Sequence, residues 1–151
     1  MLKKIAFLLP IISLLMIINC NKKFYVEKEK QVVQEHAAAF YNALENGDFE
    51  MTKKYLADDW ELFIQANRYS KEKWLQFFEE AFAPAGNVKI SINNSAWSVS
   101  PTMAWYKADE SWEMGLHNQL SKRHFLTTII WEKRNDQWQI VHAHHSLIPS
   151  L

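Results

Sequence analysis

Three kinds of side chain in the 151-residue sequence could do chemistry: a lysine–aspartate pair, a cluster of histidines and one cysteine. Lys107 and Asp109 lie two residues apart in a segment with strand-like alternation, so they share one face of the predicted strand. If it is buried among aromatic walls, Asp109 could act as a general base that removes a proton beside a carbonyl group. If it pairs with Lys107, it is instead an ordinary ion pair on a sheet. The sequence leaves both roles open.

The histidines lie near the C terminus, at positions 142, 144 and 145. His142 and His144 are at the spacing that lets two imidazoles on one strand face converge on a zinc or iron ion. A metal site needs a third ligand, so we expect a structural or interface role for this pair and no metal or other cofactor. His145 has the opposite strand parity, and it could move a proton.

Composition excludes several functional classes. The 17 lysines and arginines balance 17 aspartates and glutamates, so no global positive field is present to hold a nucleic acid. The only glycines are Gly47, Gly86 and Gly115, which are too scattered to form a phosphate-binding loop. Aromatic residues make up 14% of the chain and include seven tryptophans. These numbers predict one folded domain with a large packed interior or an apolar cavity.

The first twenty residues are typical of export. Lys3 and Lys4 precede an apolar run of 14 residues, 5–18, which is shorter than the roughly 20 residues that span a bilayer. Cys20, the only cysteine, follows this run, and the arrangement resembles a bacterial lipoprotein signal, in which the cysteine becomes the lipidated first residue. The alternative is an ordinary secretory leader or an uncleaved anchor. We predict a signal peptide over 1–19, a lipidated cysteine and polar tether over 20–30, and attachment to an inner or outer envelope membrane.

Hydrophobic periodicity predicts helices first and strands afterwards. Apolar residues recur every three or four positions in the segments 27–46, 48–56 and 70–82. Gly47 is placed to end the first helix, and Asp48 and Ser70 are placed to cap the other two. After Asn87 the period becomes two, which indicates strands at 88–95, 97–100, 103–114, 123–134 and 138–146, with Asn135–Asp136 as the last hairpin turn. A further short strand is expected at 60–64. This order predicts an α+β domain.

The segment Trp131–Ser150, WEKRNDQWQIVHAHHSLIPS, carries a family resemblance. It resembles the closing hairpin of the nuclear transport factor 2-like superfamily, above all that of the SnoaL-like bacterial proteins and of the association (hub) domain of calcium/calmodulin-dependent protein kinase. The resemblance implies one domain over 27–151, shaped as a cone in which three N-terminal helices pack on a strongly bent antiparallel sheet. It also implies an apolar pocket at the open end of the cone and dimerisation through the outer sheet face.

Matching the hub-domain hairpin to this chain implies which residues line the pocket. The pocket arginines of that family fall at Lys107, Ile129 and His145, so one cation persists and one position is titratable. Extending the same alternation along the two central strands adds further pocket residues: Met103, Trp105, Asp109, Phe125, Thr127 and Trp131. On the other elements Tyr41, Tyr55, Trp60, Trp74 and Phe78 are expected either as pocket walls or as core.

The same alternation leaves four large side chains on the outer sheet face, away from the helices: Tyr106, Trp112, Trp138 and Ile140. Unpaired, they would form a large exposed apolar patch. We therefore expect a homodimer through this face.

Three functions fit these observations. The first is a noncatalytic domain that binds a small apolar or weakly anionic ligand near Lys107, with tighter binding once His145 becomes protonated below about pH 6.5. The second, implied by the resemblance, is an enzyme of the SnoaL or ketosteroid isomerase kind, in which Asp109 or His145 is the general base. The third is a hub-like assembly module.

Overall fold

A computed structural model describes residues 8–82, 88–116 and 119–149 of the chain, with side chains described within 25–80, 88–115 and 120–149. Three helices come early in the chain: α1 (Leu8–Glu45), α2 (Phe49–Tyr55) and α3 (Lys71–Phe82). The N-terminal part of α1 includes Cys20 and the segment predicted as a tether. None of the described helices combines the length and the apolar character that crossing a membrane requires.

The predicted end of α1 and the predicted starts of α2 and α3 are confirmed, whereas α1 begins at Leu8 and not at residue 27 as expected. Gly47 adopts a φ of 65°, the left-handed conformation that ends α1 and that glycine takes without strain. The Asp48 carboxylate accepts a hydrogen bond of 2.9 Å from the backbone N–H of Met51 and so caps α2. The Ser70 hydroxyl accepts from the N–H of Lys73 at 3.4 Å at the start of α3.

Six strands form one sheet in the order β2-β1-β6-β5-β4-β3. They are β1 (Leu56–Ile64), β2 (Asn67–Ser70), β3 (Val88–Val99), β4 (Met103–Leu116), β5 (Gln119–Arg134) and β6 (Gln137–Ile148). Every pairing is antiparallel except that of β1 with β6, which is parallel. The α+β fold class is thus confirmed, while the sheet is mixed rather than wholly antiparallel.

The strands differ from the predictions in their bounds, since β1 begins at Leu56 and not at residue 60 and β5 at Gln119 and not at residue 123, and in two further features. The two strands expected at 88–95 and 97–100 are one strand, β3, whose register to β4 shifts between Ile92 and Asn94. This bulge interrupts the alternation that the sequence pattern relies on. Strand β2, which was not predicted, pairs with β1 through a hairpin in which Gln65 has a φ of 54°. The predicted turn at Asn135 and Asp136 is confirmed, since both residues have positive φ angles.

The faces predicted for β4 are reversed. Apart from Ser111, its buried positions are the even-numbered ones, from Ala104 and Tyr106 to Trp112 and Met114, whereas Met103, Trp105 and Lys107 are exposed. The even positions carry the larger share of apolar side chains, so burying them removes more apolar surface from water. Lys107 and His145 therefore lie on opposite faces of the sheet.

The prediction of a large apolar patch on the outer sheet face, which motivated the dimer, is also wrong. Tyr106, Trp112, Trp138 and Ile140 are all buried in the core. Strand β6 has a register shift against β5, where Ile130 pairs with His142 and Trp131 pairs with Ile140. This extra residue lets Ile140 and Ala143 both face the interior, which strict alternation forbids.

Helix α1 is attached to the last hairpin through Glu29. Its carboxylate accepts hydrogen bonds from Lys133 Nζ at 2.9 Å and from Trp138 Nε1 at 3.0 Å. Burial alone would raise the pKa of Glu29, but these two bonds and the Lys133 charge outweigh burial and hold the pKa below its usual value. From this contact α1 runs along the sheet until Glu45 accepts from the backbone N–H of Ile90 at 2.7 Å.

Candidate ligand-binding cavity

A cavity of about 350 Å³ lies between the C-terminal half of α1, helix α3, the β1–β2 hairpin and the inner face of the sheet. Its walls are mainly apolar and aromatic, and only a few polar groups reach them. The lining residues that matter below are Tyr41, Trp60, Trp74, Arg123, Ala143 and His145. A concave, mostly apolar space of this size with few polar groups is typical of a small-molecule site.

Aromatic rings build one side of the cavity. The Trp60 and Trp74 rings meet edge to face with centroids 5.3 Å apart, and Trp74 stacks on Phe78 at 5.1 Å. Trp60 comes from β1 and the other two from successive turns of α3, so the hairpin and helix hold each other in place. Trp60, Trp74 and Phe78, which were expected either as pocket walls or as core, therefore line the cavity and also pack in the core.

The structure brings seven of the residues that were expected around the pocket into the lining: Tyr41, Trp60, Trp74, Phe78, Phe125, Ile129 and His145. Trp131 faces the interior but does not line the cavity, because it packs against Phe40 and Tyr55 in the core. Trp105, Lys107 and Asp109 lie outside the cavity altogether. The side chain of Cys20 lies outside the part of the chain whose side chains are described.

Lys107 and Asp109 belong to a shallow groove on the outer sheet face. The Lys107 ammonium lies over the Trp105 ring, with Nζ 4.7 Å from the ring centroid. Asp109 accepts a hydrogen bond of 2.9 Å from the Asn94 side-chain amide. The prediction that these groups face the pocket is wrong, because it took the wrong parity for β4.

His145 is a neutral imidazole in the cavity wall. Its Nδ1 is 2.9 Å from the Thr127 hydroxyl oxygen, and its ring meets those of Trp112 and Phe125 edge to face. Burial is the main cause that lowers the pKa of His145 to about 4, and the nearby His144 adds to the shift. The imidazole is therefore expected to stay neutral from pH 6.5 down to about pH 4, so His145 supplies no cation for a ligand in that range.

Glu110 is a buried carboxyl group that the sequence reasoning missed. Its Oε1 accepts from the Tyr41 hydroxyl, and its Oε2 accepts from Trp112 Nε1 at 2.8 Å. Burial raises the pKa of Glu110, although hydrogen bonds from Tyr41, Trp112 and Thr127 act in the opposite direction. A signal was present: Glu110 is the only charged residue among the even positions of β4, which are otherwise small or apolar apart from Tyr106.

Thr127 joins Glu110 and His145 into one network behind the cavity wall. Its hydroxyl oxygen lies 2.9 Å from Nδ1 of His145, and a hydrogen bond from Thr127 lowers the pKa of Glu110. When the Thr127 hydroxyl donates to Glu110, Nδ1 of His145 is the donor to Thr127, and Nε2 is left with a lone pair. The arrangement can accept a hydrogen bond, or a proton, from a molecule in the cavity.

The other two histidines of the C-terminal cluster, His142 and His144, lie outside the cavity. His142 packs on Phe63 with ring centroids 5.4 Å apart, and His144 is exposed. Within the ranges that the structure describes, no group of three histidine, cysteine, aspartate or glutamate side chains could hold a metal ion.

The fold and its cavity define a protein of the nuclear transport factor 2-like (NTF2-like) class. Solved structures of similar fold include an NTF2-like protein from Cytophaga hutchinsonii, with a TM-score of 0.70 and 12% identity over 79% of this chain and 98% of that one. A conserved protein from Planctomyces limnophilus gives 0.72 and 12%, over 82% and 99% of the two chains. The CaMKII association domain of C. elegans gives 0.63 and 18%, over 80% and 96%.

Within this class, a family model described as the SnoaL-like domain matches residues 33–150. The chain belongs to the SnoaL-like family. No curated protein matches it. Because one fold of this kind can carry unrelated activities, function has to be argued from the cavity itself.

Proposed function

We propose that the domain binds a small, largely apolar molecule in the cavity and does so without catalysing a reaction. The observation that carries this proposal is the aromatic lining, which offers apolar contact to a guest but only a few polar groups to orient it. Lys107, the cation expected beside the ligand, lies outside the cavity, and Arg123 on β5 is an exposed cationic residue of the lining. A weakly anionic ligand would keep its charge beside Arg123 and its apolar part inside.

Filling the cavity tests this proposal. Ala143 is a buried lining residue on β6, so Ala143→Phe places a ring where the ligand would sit. With the bicyclic probes tetralin and 1-tetralone, calorimetry should detect binding to the wild type and none to Ala143→Phe. Ala96→Phe, at an exposed position on β3, is the matched control and should bind as the wild type does. Unchanged affinity in Ala143→Phe would show that the probes bind elsewhere.

Attachment to a membrane through a lipid on Cys20 is the second part of the proposal. Its support is the short apolar run that precedes the only cysteine. Full-length protein should partition into the detergent phase and incorporate a palmitate analogue, and Cys20→Ser should abolish the labelling. A mature N terminus elsewhere than Cys20 would refute this part alone.

A homodimer through the outer sheet face is the third part, now with different residues. Met103, Trp105 and Leu126 are each about half exposed there, and the adjacent groove carries Lys107 and Asp109. A two-fold axis would pair the lysine of one copy with the aspartate of the other, so this face is complementary to itself. Sedimentation should show a dimer that Trp105→Glu weakens and that Leu120→Glu, at an exposed site near the start of β5, does not. A larger ring would favour the hub-like role.

One observation favours an enzyme as the second candidate. His145 lines the apolar cavity as a neutral imidazole, and its Nδ1 lies 2.9 Å from the Thr127 hydroxyl oxygen, so its Nε2 can carry the lone pair that a general base requires. Such a base would remove a proton from the carbon beside a carbonyl group. In heavy water the protein would then speed deuterium uptake at C2 of 1-tetralone, and His145→Gln would abolish the acceleration while binding persists. Uptake at the uncatalysed rate would favour the binding role.

A further inference from the structure

We propose that the ligand of this cavity is an amphipathic carboxylate with a single negative charge, and that the Arg123 guanidinium binds this charge at the opening of the cavity. The inference rests on the proposed ligand-binding function and adds the chemical class of the ligand, its orientation and the residue that recognises it.

Arg123 lies on the inner face of the sheet, beside the cavity. It precedes Phe125 by two residues on β5, and it is paired with Trp112 of the neighbouring strand β4. Residues two apart on a strand, and residues directly opposite on paired strands, point to the same side of a sheet. Phe125, Trp112 and Arg123 all line the cavity, and Arg123 is the exposed one of the three. Its side chain therefore lies where the cavity meets water.

Arg123 differs from the other two arginines of the chain because it has no anionic partner. Arg68 pairs with Glu61, and Arg134 pairs with two carboxylates. All 17 aspartates and glutamates lie in the ranges whose side chains are described, and none of them forms an ion pair or a hydrogen bond with Arg123. An arginine stays charged throughout the working pH range of proteins. The opening of the cavity thus carries a cation that no acidic side chain neutralises.

Polar and apolar groups are separated within the lining. Four of the described lining residues are exposed and so form the opening: Gln65, Asn67, Phe77 and Arg123. Three of them are polar, and Arg123 is the only lysine, arginine, aspartate or glutamate in the described lining. The interior is mainly aromatic and aliphatic, and its His145 is neutral. A charge can therefore be held at the opening only, since an anion placed deeper would be buried without a cation.

These features define the ligand as an apolar body for the interior with one anionic group for the opening. A guanidinium matches a carboxylate through two parallel N–H donors. A carboxylate also fits better than a phosphate monoester, which carries up to two negative charges at pH 7 and would meet only one cation here. A second carboxylate at the far end of the body would be buried without a partner.

The test compares three probes on one naphthalene frame: 2-naphthoate with one charge, 2-naphthamide with none and naphthalene-2,6-dicarboxylate with one at each end. Calorimetry at pH 7, where a carboxylic acid is ionised, measures each against the wild type. We expect 2-naphthoate to bind tightest, because it alone meets the cation without burying a charge. The dicarboxylate should bind most weakly.

Three variants separate the effect of this side chain from that of net charge. Arg123→Gln should weaken 2-naphthoate about 3- to 10-fold, as expected for an exposed charge-assisted contact, and should change 2-naphthamide by less than about 2-fold. Arg123→Lys should keep most of the affinity for 2-naphthoate, because the charge remains. Arg68→Gln is the matched control, since Arg68 is exposed on β2 but does not line the cavity and its loss changes the net charge equally. It should leave both affinities unchanged.

The outcomes separate the two levels of the argument. If tetralin binds and 2-naphthoate does not, if Arg123→Gln weakens 2-naphthoate and 2-naphthamide equally, or if Arg68→Gln weakens 2-naphthoate as much as Arg123→Gln does, the role of Arg123 is overturned and the binding function stands. Tighter binding of the dicarboxylate than of 2-naphthoate would overturn the single charge. If neither tetralin nor any naphthalene probe binds the wild type, the binding function is contradicted and the inference falls with it.

Discussion

His145 shows how burial can turn a titratable group into a fixed hydrogen-bonding one. Its ring is enclosed by Trp112 and Phe125, and Thr127 holds its Nδ1 at 2.9 Å. Desolvation penalises the charged imidazolium, so the neutral form persists. The cavity therefore presents the same hydrogen-bonding pattern over the physiological pH range.

The same burial makes stability depend on pH. The pKa of His145 is about 4 in the folded state, against about 6.5 when unfolded, so the unfolded chain takes up a proton first as the pH falls. The contribution is fully present above about pH 6.5 and is lost towards pH 4, at about 1.4 kcal/mol per pH unit or roughly 3 kcal/mol in total. Urea unfolding between pH 7 and pH 4.5 should show a steeper loss for the wild type than for His145→Gln. The exposed His124→Gln is the control; equal slopes in all three proteins would contradict this assignment.

At the scale of elements, Glu29 is the contact that holds α1 on the last hairpin. Lys133 and Trp138 lie on β5 and β6 and are separated from Glu29 by more than 100 residues, so this contact joins the two ends of the domain. Trp138 is 2% exposed, and its indole N–H loses the carboxylate acceptor that it has in the structure if Glu29 is truncated.

Glu29→Ala should therefore destabilise the domain by about 1 to 3 kcal/mol, the usual cost of leaving a buried donor unsatisfied. Glu35→Ala, six residues further along the same helix, removes a carboxylate that accepts only from Gln31 at the surface and should cost much less. Thermal unfolding of the two variants gives the comparison. A cost for Glu29→Ala no larger than that for Glu35→Ala would mean that α1 is held by apolar packing alone.

The sequence predicted the elements better than it predicted their faces. The end of α1 and the starts of α2 and α3 were predictable because Gly47, Asp48 and Ser70 act locally, through caps that need no tertiary contact. The inward faces of β5, with Phe125 and Ile129, followed from regular alternation. The faces of β4 did not, because both sets of alternate positions contain tryptophan and an acidic residue. Family matching favoured the set that carries Lys107.

Bulges account for much of the remaining error. In β6 an extra residue reverses the alternation between Ile140 and Ala143, and in β3 a register shift merges two expected strands. Neither bulge carries a glycine that would mark it in the sequence. The burial of Glu110 was missed because a carboxylate on the inner face opposes the hydrophobic pattern. Its burial is explained by the hydrogen bonds that Tyr41 and Trp112 donate to it, and the sequence alone does not show these bonds.

At the scale of the whole molecule, the cavity and the Glu29 contact lie at different points along α1. Glu29 contacts the last hairpin near the middle of the helix, whereas Phe40, Tyr41 and Leu44, close to its C-terminal end, line the cavity. The rise of 1.5 Å per helical residue separates Glu29 from Leu44 by about 22 Å. If Cys20 is anchored as proposed, the cavity lies at the end of α1 remote from the membrane and exchanges its ligand with the aqueous phase.

The central claim is that a small apolar molecule occupies this cavity, and the seven tryptophans offer a direct measurement of it. Their indole N–H resonances can be followed in a nitrogen-15 NMR titration of the wild type with 1-tetralone. Trp60, Trp74 and Trp112 line the cavity, whereas Trp97 and Trp105 do not. The account predicts that the first three resonances shift with one common dissociation constant while the other two stay in place. Shifts confined to Trp97 and Trp105, or no saturable shift at Trp60, Trp74 and Trp112, would contradict it.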